Sequence, residues 1–146
     1  MKRIKSCVWI IPCFLLLTPL AASALEYNTG AKAKIILETD KMSNGEPIDY
    51  LDADQPKVTV LRLDLPPGGQ TGWHSHPMPV YAYILSGRLT VYIEGGKKVE
   101  FKEGDALVEV VNVKHNGVNH GEVPVRLVVF YLGAKDVPNV VRSEGP

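Results

Sequence analysis

Two histidines one residue apart, His74 and His76, lie inside the stretch GGQTGWHSHPMPVYAYILSG, Gly68–Gly87. Extended chain sends every second side chain to the same face, so both imidazoles can project together roughly 6.6 Å apart along a strand. Glycine-rich turns bracket the pair on both sides. Two neutral imidazoles so placed can converge on one metal ion. A third, His115, lies about forty residues downstream. If the strands close into a barrel, a strand end there can lie beside the His-Ser-His strand, about 4.8 Å away. Three imidazoles on adjacent strands form a facial N₃ site whose open positions accept water or substrate.

Other side chains near these three have secondary roles to fill. His120, the fourth histidine, sits beside Gly121. It reads as a loop residue, and as the remaining side chain of the exported chain that titrates near neutrality it is also the candidate acid–base group. Gln70 and Asn119 are candidate donors that orient the ligand rings. Trp73 precedes the first ligand and is expected to point away from it. Tyr81 and Tyr83 share a parity opposite to Val80 and Ala82, which sends them to a sheet or subunit contact. Nucleophilic catalysis has little support: Ser75 lies between two ligand positions, and no serine occupies a strained Gly-x-Ser-x-Gly setting. Phosphate-cradling loops are absent too, because Pro66-Pro67-Gly68-Gly69 leads into a strand and not a helix.

The elements that must hold these residues are strands. Val58–Leu65 alternates and is rich in branched residues. Val80–Ser86 follows the histidines, and Ser86-Gly87-Arg88 reads as a hairpin into Leu89–Glu94. Gly95-Gly96 makes a hairpin into Val99–Phe101, and Glu103-Gly104-Asp105 turns the chain into Ala106–Val111. Asn116–His120 is loop or short strand, and Val125–Leu132 carries the strongest strand pattern. Upstream, Ala33–Leu37 is a further candidate strand, followed by a turn-rich stretch with Asn44-Gly45 at its tightest point. Its acidic residues lack the closing glutamate of a calcium loop and read as a solvated surface. No segment shows helical periodicity. Eight or nine short strands spaced by glycine turns predict an all-β antiparallel sandwich or barrel. Val80–Ser86 and Val125–Leu132 are apolar on both faces, as in strands covered either inside a double sheet or against a second subunit, and a homodimer is the expected assembly.

The first residues predict export. Lys2, Arg3 and Lys5 precede an apolar run, Cys7–Leu20, and Ala22-Ser23-Ala24 has the small-x-small form of a cleavage site. The run is shorter than the roughly 20 residues a membrane span needs, and Pro12 and Pro19 interrupt it. Residues 1–24 are therefore read as a cleaved secretory signal peptide, and 25–146 as one periplasmic or secreted domain. Cleavage removes Cys7 and Cys13, the only cysteines, so the domain would have no disulfide, thiol nucleophile or thiolate ligand. It leaves 13 basic residues against 16 acidic, a net of about −3. That balance argues against nucleic acid or an anionic membrane surface and for a small-molecule partner.

With these positions in place, the sequence resembles the cupin superfamily, in its small single-domain form. The family's first motif is glycine, five residues, His-x-His, a glutamate after three or four residues, then a glycine. Gly68, His74, His76 and Gly87 hold those places, and Val80 stands where the glutamate is expected. The second motif is matched by Gly104, His115 and Asn119, with Val110 and Asn112 at its proline and glycine positions. The resemblance covers about residues 58–133. It implies a jelly-roll barrel of two antiparallel sheets and a divalent metal, Fe, Mn, Zn, Ni or Cu, held by His74, His76 and His115. Some members without the glutamate keep a three-histidine iron site and act as dioxygenases. Loss of the carboxylate at position 80 is expected to leave more positive charge on the ion and to favour an anionic substrate or a metal-bound hydroxide. The expected function is binding or transformation of a small oxygen-bearing metabolite, with dioxygenase, isomerase or lyase chemistry and non-catalytic binding as alternatives.

Overall fold

The computed structural model describes residues 31–145, so the signal segment and its cleavage point lie outside the described residues. Nine strands carry the unit that begins at Ile35. They are β1 (Pro56–Leu65), β2 (His74–Ser75), β3 (Val80–Ser86), β4 (Arg88–Ile93), β5 (Lys97–Lys102), β6 (Ala106–Val108), β7 (His115–Val118), β8 (Val125–Ala134) and β9 (Val141–Arg142). One sheet has the order β1-β8-β3-β6 and the other β5-β4-β7-β2-β9, and all pairings within both are antiparallel. This is the jelly-roll expected from the sequence, and no helix occurs among the described residues.

Alternation along each strand fills the space between the sheets. Val80, Ala82 and Ile84 of β3 and Val125, Leu127, Val129 and Tyr131 of β8 are buried, while the residues alternating with them turn outward. Leu89, Val91 and Ile93 of β4 close the core from the opposite sheet. At the burial coefficient of about 25 cal/mol per Å² of apolar surface, this continuous core is the main stabilising term in a domain without crosslinks. Tyr81 and Tyr83 lie on the outward face of β3, and Tyr81 Oη donates to Tyr50 Oη at 3.0 Å.

Three expectations are corrected. Ala33–Leu37 forms no strand; Ile35, Ile36 and Leu37 are exposed and the ladders give them no partner. Ser86-Gly87-Arg88 is not a hairpin, because β3 and β4 belong to different sheets. The chain crosses between layers there, with Gly87 at φ 84°, and a Cβ on it would stand 2.8 Å from the carbonyl oxygen of Pro124. Glycine is needed at that crossing for both reasons. The strand proposed for Ala106–Val111 ends at Val108, and the residues beyond it bend toward the histidines. The Gly95-Gly96 hairpin joins β4 to β5 as read.

Candidate metal centre

Backbone pairing places each histidine. His74 at the start of β2 is in register with His115 at the start of β7. Directly opposed residues of an antiparallel ladder put their side chains on one face, so these two imidazoles rise together. His76 has left that ladder; it bridges Val111, and its carbonyl accepts the Asn112 N–H at 2.8 Å. Asn112 makes the turn with φ 56°, a left-handed conformation that asparagine tolerates better than most residues. Asparagine thus serves where the second motif has its glycine.

The rings converge. Centroids are 4.8 Å apart for His74 and His76, 4.4 Å for His74 and His115, and 5.0 Å for His76 and His115. One ligand nitrogen from each lies within 4.8 Å of the others. All three rings are buried. Each has its Nδ1 against a backbone carbonyl: His74 to Gly72 at 2.7 Å, His76 to Asn139 at 2.6 Å, and His115 to Val113 at 3.0 Å. A carbonyl only accepts, so each Nδ1 carries the proton, and a neutral ring then turns its Nε2 lone pair inward. Nε2 of His115 is buried without a hydrogen-bond partner. Such an atom is costly in an apolar interior unless something occupies its lone pair. Three neutral imidazoles with their second nitrogens pinned by backbone are the donor set that suits a divalent first-row ion. The residues therefore fit the metal the fold family implies.

Electrostatics prepare His74 for this role and pair His115 with a carboxylate. Burial, reinforced by the charges His115 and His76 would carry, outweighs the Gly72 hydrogen bond and lowers the His74 pKa to about 4, so that ring is neutral at physiological pH. Burial also opposes charge on His115, but the adjacent Glu109 carboxylate outweighs it and raises that pKa.

Glu109 is the residue that sequence reading missed. Its Oε2 lies 2.9 Å from His76 Nε2 and 3.6 Å from His115 Nε2, and the side chain is 14% exposed. Burial works against its charge, yet the His115 and His76 contacts hold the carboxyl well below the usual carboxylate range. A carboxylate only accepts, so the short contact to His76 needs a proton or a cation at the junction. The site is not short of an anion, as the loss at position 80 had implied. A signal for Glu109 was present: it is the one charged residue in the run ALVEVV, Ala106–Val111.

A cavity of about 300 Å³ opens over the three rings. Its walls are mostly aliphatic, from Leu63, Leu65, Leu89, Val91, Leu127 and Val129. Gln70, Thr71, Tyr131 and Arg142 supply polar groups. The Tyr131 ring stands 5.4 Å from His76, and burial, with the charge of Glu109, pushes its phenol up to about 12. Arg142 of β9 pairs with His74 from the other side, so it shares the face of that ligand. Neither Tyr131 nor Arg142 was singled out from the sequence; the inward parity of β8 would have found the tyrosine.

The remaining predicted residues fall elsewhere. Gln70 lines the cavity but its Oε1 accepts from Asn116 Nδ2 at 2.9 Å, not from an imidazole. Asn119 is fully buried; its Nδ2 faces the carbonyls of Leu65, Pro66 and Val123, and its Oδ1 accepts the Gly121 N–H. It staples the loop after β1 and makes no hydrogen bond to a ligand ring. His120 is exposed, hydrogen-bonded to Tyr92 at 2.9 Å, and is not part of the cavity wall.

Residues 61–131 match the family model described as Cupin domain. No curated protein matches the chain. The solved oxalate decarboxylase of Lactobacillus farciminis, in a formate complex, is similar at a TM-score of 0.51 and 17% identity, over 65% of this chain and 33% of that one. A DMSP lyase from Ruegeria pomeroyi gives a TM-score of 0.50 at 22% identity, over 64% of this chain and 47% of that one. A predicted oxalate decarboxylase from Thermotoga maritima is 32% identical over 50% of this chain and 64% of its own, with a TM-score of 0.44. The chain thus spans less than two thirds of each of these proteins, and the likeness is one of fold.

Proposed function

This chain belongs to the cupin superfamily, and on that premise we propose that it holds one divalent metal ion through His74, His76 and His115 and binds or transforms a small oxygen-bearing metabolite beside it. The observation that carries the reading is the convergence of three buried rings whose Nδ1 atoms are all pinned by backbone carbonyls beneath a mainly aliphatic cavity. The cavity volume of about 300 Å³ suits a metabolite of few heavy atoms. A divalent ion bound there would act as a Lewis acid toward an oxygen of the metabolite or would recruit dioxygen. The chain's own groups do the rest. Aliphatic walls exclude water, Arg142 at the cavity wall offers a cation to a carboxylate, and Tyr131 holds its proton as a donor.

A second reading, oxygen-independent lyase or isomerase chemistry, gains support from one observation. A carboxylate, Glu109, and a phenol, Tyr131, face the same cavity, which supplies groups able to accept and donate protons. The two readings separate in one assay. Metal-loaded protein is offered small carboxylates, diketones and phenols with and without oxygen. Consumption of oxygen with substrate supports a dioxygenase; product formed equally without oxygen supports the lyase or isomerase. Saturable binding without turnover leaves a metabolite-binding module. No binding of any of these classes would overturn the proposal.

Two further parts of the proposal concern place and assembly. Export to the periplasm or medium rests on the basic, apolar and small-residue pattern of residues 1–24; N-terminal sequencing of the secreted chain tests it, with Leu25 expected first. Homodimerisation rests on the outer face of the first sheet, where Val58, Val60, Leu85 and Phe130 are exposed. Exposed apolar side chains gathered on one sheet face are a common mark of an association site.

A further inference from the structure

We infer that Glu109 is the carboxylate ligand of this metal centre, delivered from the neighbouring strand in place of the glutamate absent at position 80. The inference rests on the three-histidine reading above and adds a fourth donor to it. Its first support is register. β3 and β6 pair antiparallel with Tyr81 opposite Val108, which continues to Val80 opposite Glu109, and the Glu109 N–H donates to the Val80 carbonyl at 2.8 Å. Residues directly opposed across such a pair share a face, with Cβ atoms about 4.5–5.5 Å apart. A carboxylate at position 109 therefore enters the same space as one at position 80, from one strand over.

The second support is where its oxygen stands. Two donors bound at about 2.1 Å to one ion, at tetrahedral or octahedral angles, lie roughly 3.0–3.4 Å apart. Glu109 Oε2 is 2.9 Å from His76 Nε2 and 3.6 Å from His115 Nε2, on either side of that spacing and within a few tenths of an ångström of it. Both contacted atoms are the nitrogens left free by the backbone contacts at Nδ1. The third support is the backbone that carries the acid. After β6 the chain runs from Glu109 to the Val111 bridge with His76, so ligand and carboxylate are tied by one short segment. Val80 itself is fully buried, flanked by Tyr131 across one ladder and by Glu109 across the other.

Titration of Co²⁺ into chelator-treated protein, followed by visible absorption, tests this without any enzymatic assay. Glu109→Gln is expected to lower Co²⁺ affinity by at least the roughly 10–100-fold that loss of an outer-shell partner costs, and to change the absorption bands that report coordination. The double variant Val80→Glu with Glu109→Val is expected to recover most of the affinity, because the acid returns to the same space. Zn²⁺-induced infrared difference spectra of the wild-type chain provide a reading that needs no variant to fold: a carboxylate stretch should shift on binding. Glu109→Gln with wild-type affinity and unchanged bands, or a Zn²⁺ difference spectrum without a carboxylate shift, would overturn the assignment while leaving the three-histidine site standing. A wild-type chain that binds neither ion would remove both.

Discussion

Acidifying the metal-free protein from pH 7 to pH 4.5 isolates a single imidazole. His74 has a folded pKa of about 4 against an ordinary value of 6.5, so across this window the unfolded chain takes up a proton that the folded chain refuses. Stability therefore falls as the pH falls from about 6.5 toward 4. The neighbouring pair does not add to the slope there. The His115 pKa is raised, so that ring is protonated in both states below 6.5, and its favourable contribution is lost only as the pH rises through the folded value. The Glu109 pKa is lowered, so its contribution is lost only below the ordinary carboxylate range. Proton linkage with the two His74 values gives roughly 2.4 kcal/mol between pH 7 and 4.5, reduced to about 1–2 kcal/mol by solvent reaching part of the ring. Urea unfolding at fixed pH steps in the presence of a chelator measures it. His74→Asn keeps a donor for the Gly72 carbonyl and removes the titration, so the variant should lose that part of the slope. An unaltered slope in the variant would show that burial of His74 does not govern the acid response.

Other consequences are more local. Gly87→Ala places a Cβ 2.8 Å from the Pro124 carbonyl at φ 84°, and should cost about 1–3 kcal/mol, read as a fall of several degrees in the thermal midpoint. Asn112→Gly should be nearly silent in the same melt while Asn112→Val is not, since only the β-branched side chain resists φ 56°. Arg142→Leu should weaken perturbation of the Co²⁺ bands by a small carboxylate such as acetate about 10–100-fold, with Co²⁺ affinity itself preserved, if the cavity-lining guanidinium receives a carboxylate. Light scattering should report a dimer for the wild-type chain and a monomer for Val60→Lys with Phe130→Glu, which charges the exposed sheet face.

How much of this was legible in the sequence follows from which forces are local. The strands around Val60, Ile84 and Val129 announced themselves because alternation is written residue by residue. The Gly95-Gly96 hairpin did so because its turn chemistry is short-range. Gly87 misled because a glycine turn looks the same whether the next strand pairs with the last or crosses to the other sheet; the Pro124 contact that decides it is long-range. Ala33–Leu37 has strand-like residues but no partner to accept its hydrogen bonds. At the centre, His74, His76 and His115 were found by spacing and by the second motif, and the structure brings their rings together. Glu109 and Arg142 were not found. Each reaches the cavity through a cross-strand register, Val80 with Glu109 and His74 with Arg142, that no linear spacing encodes.

Metal analysis of the purified chain, after reconstitution with an excess of divalent ion and removal of what is loosely bound, bears most directly on the central claim. One ion per chain is predicted for the wild type, and none retained by His76→Ala, whose ring contributes a buried Nε2 to the cluster. A wild-type chain that retains no ion, or a His76→Ala chain that retains a full equivalent, would contradict it.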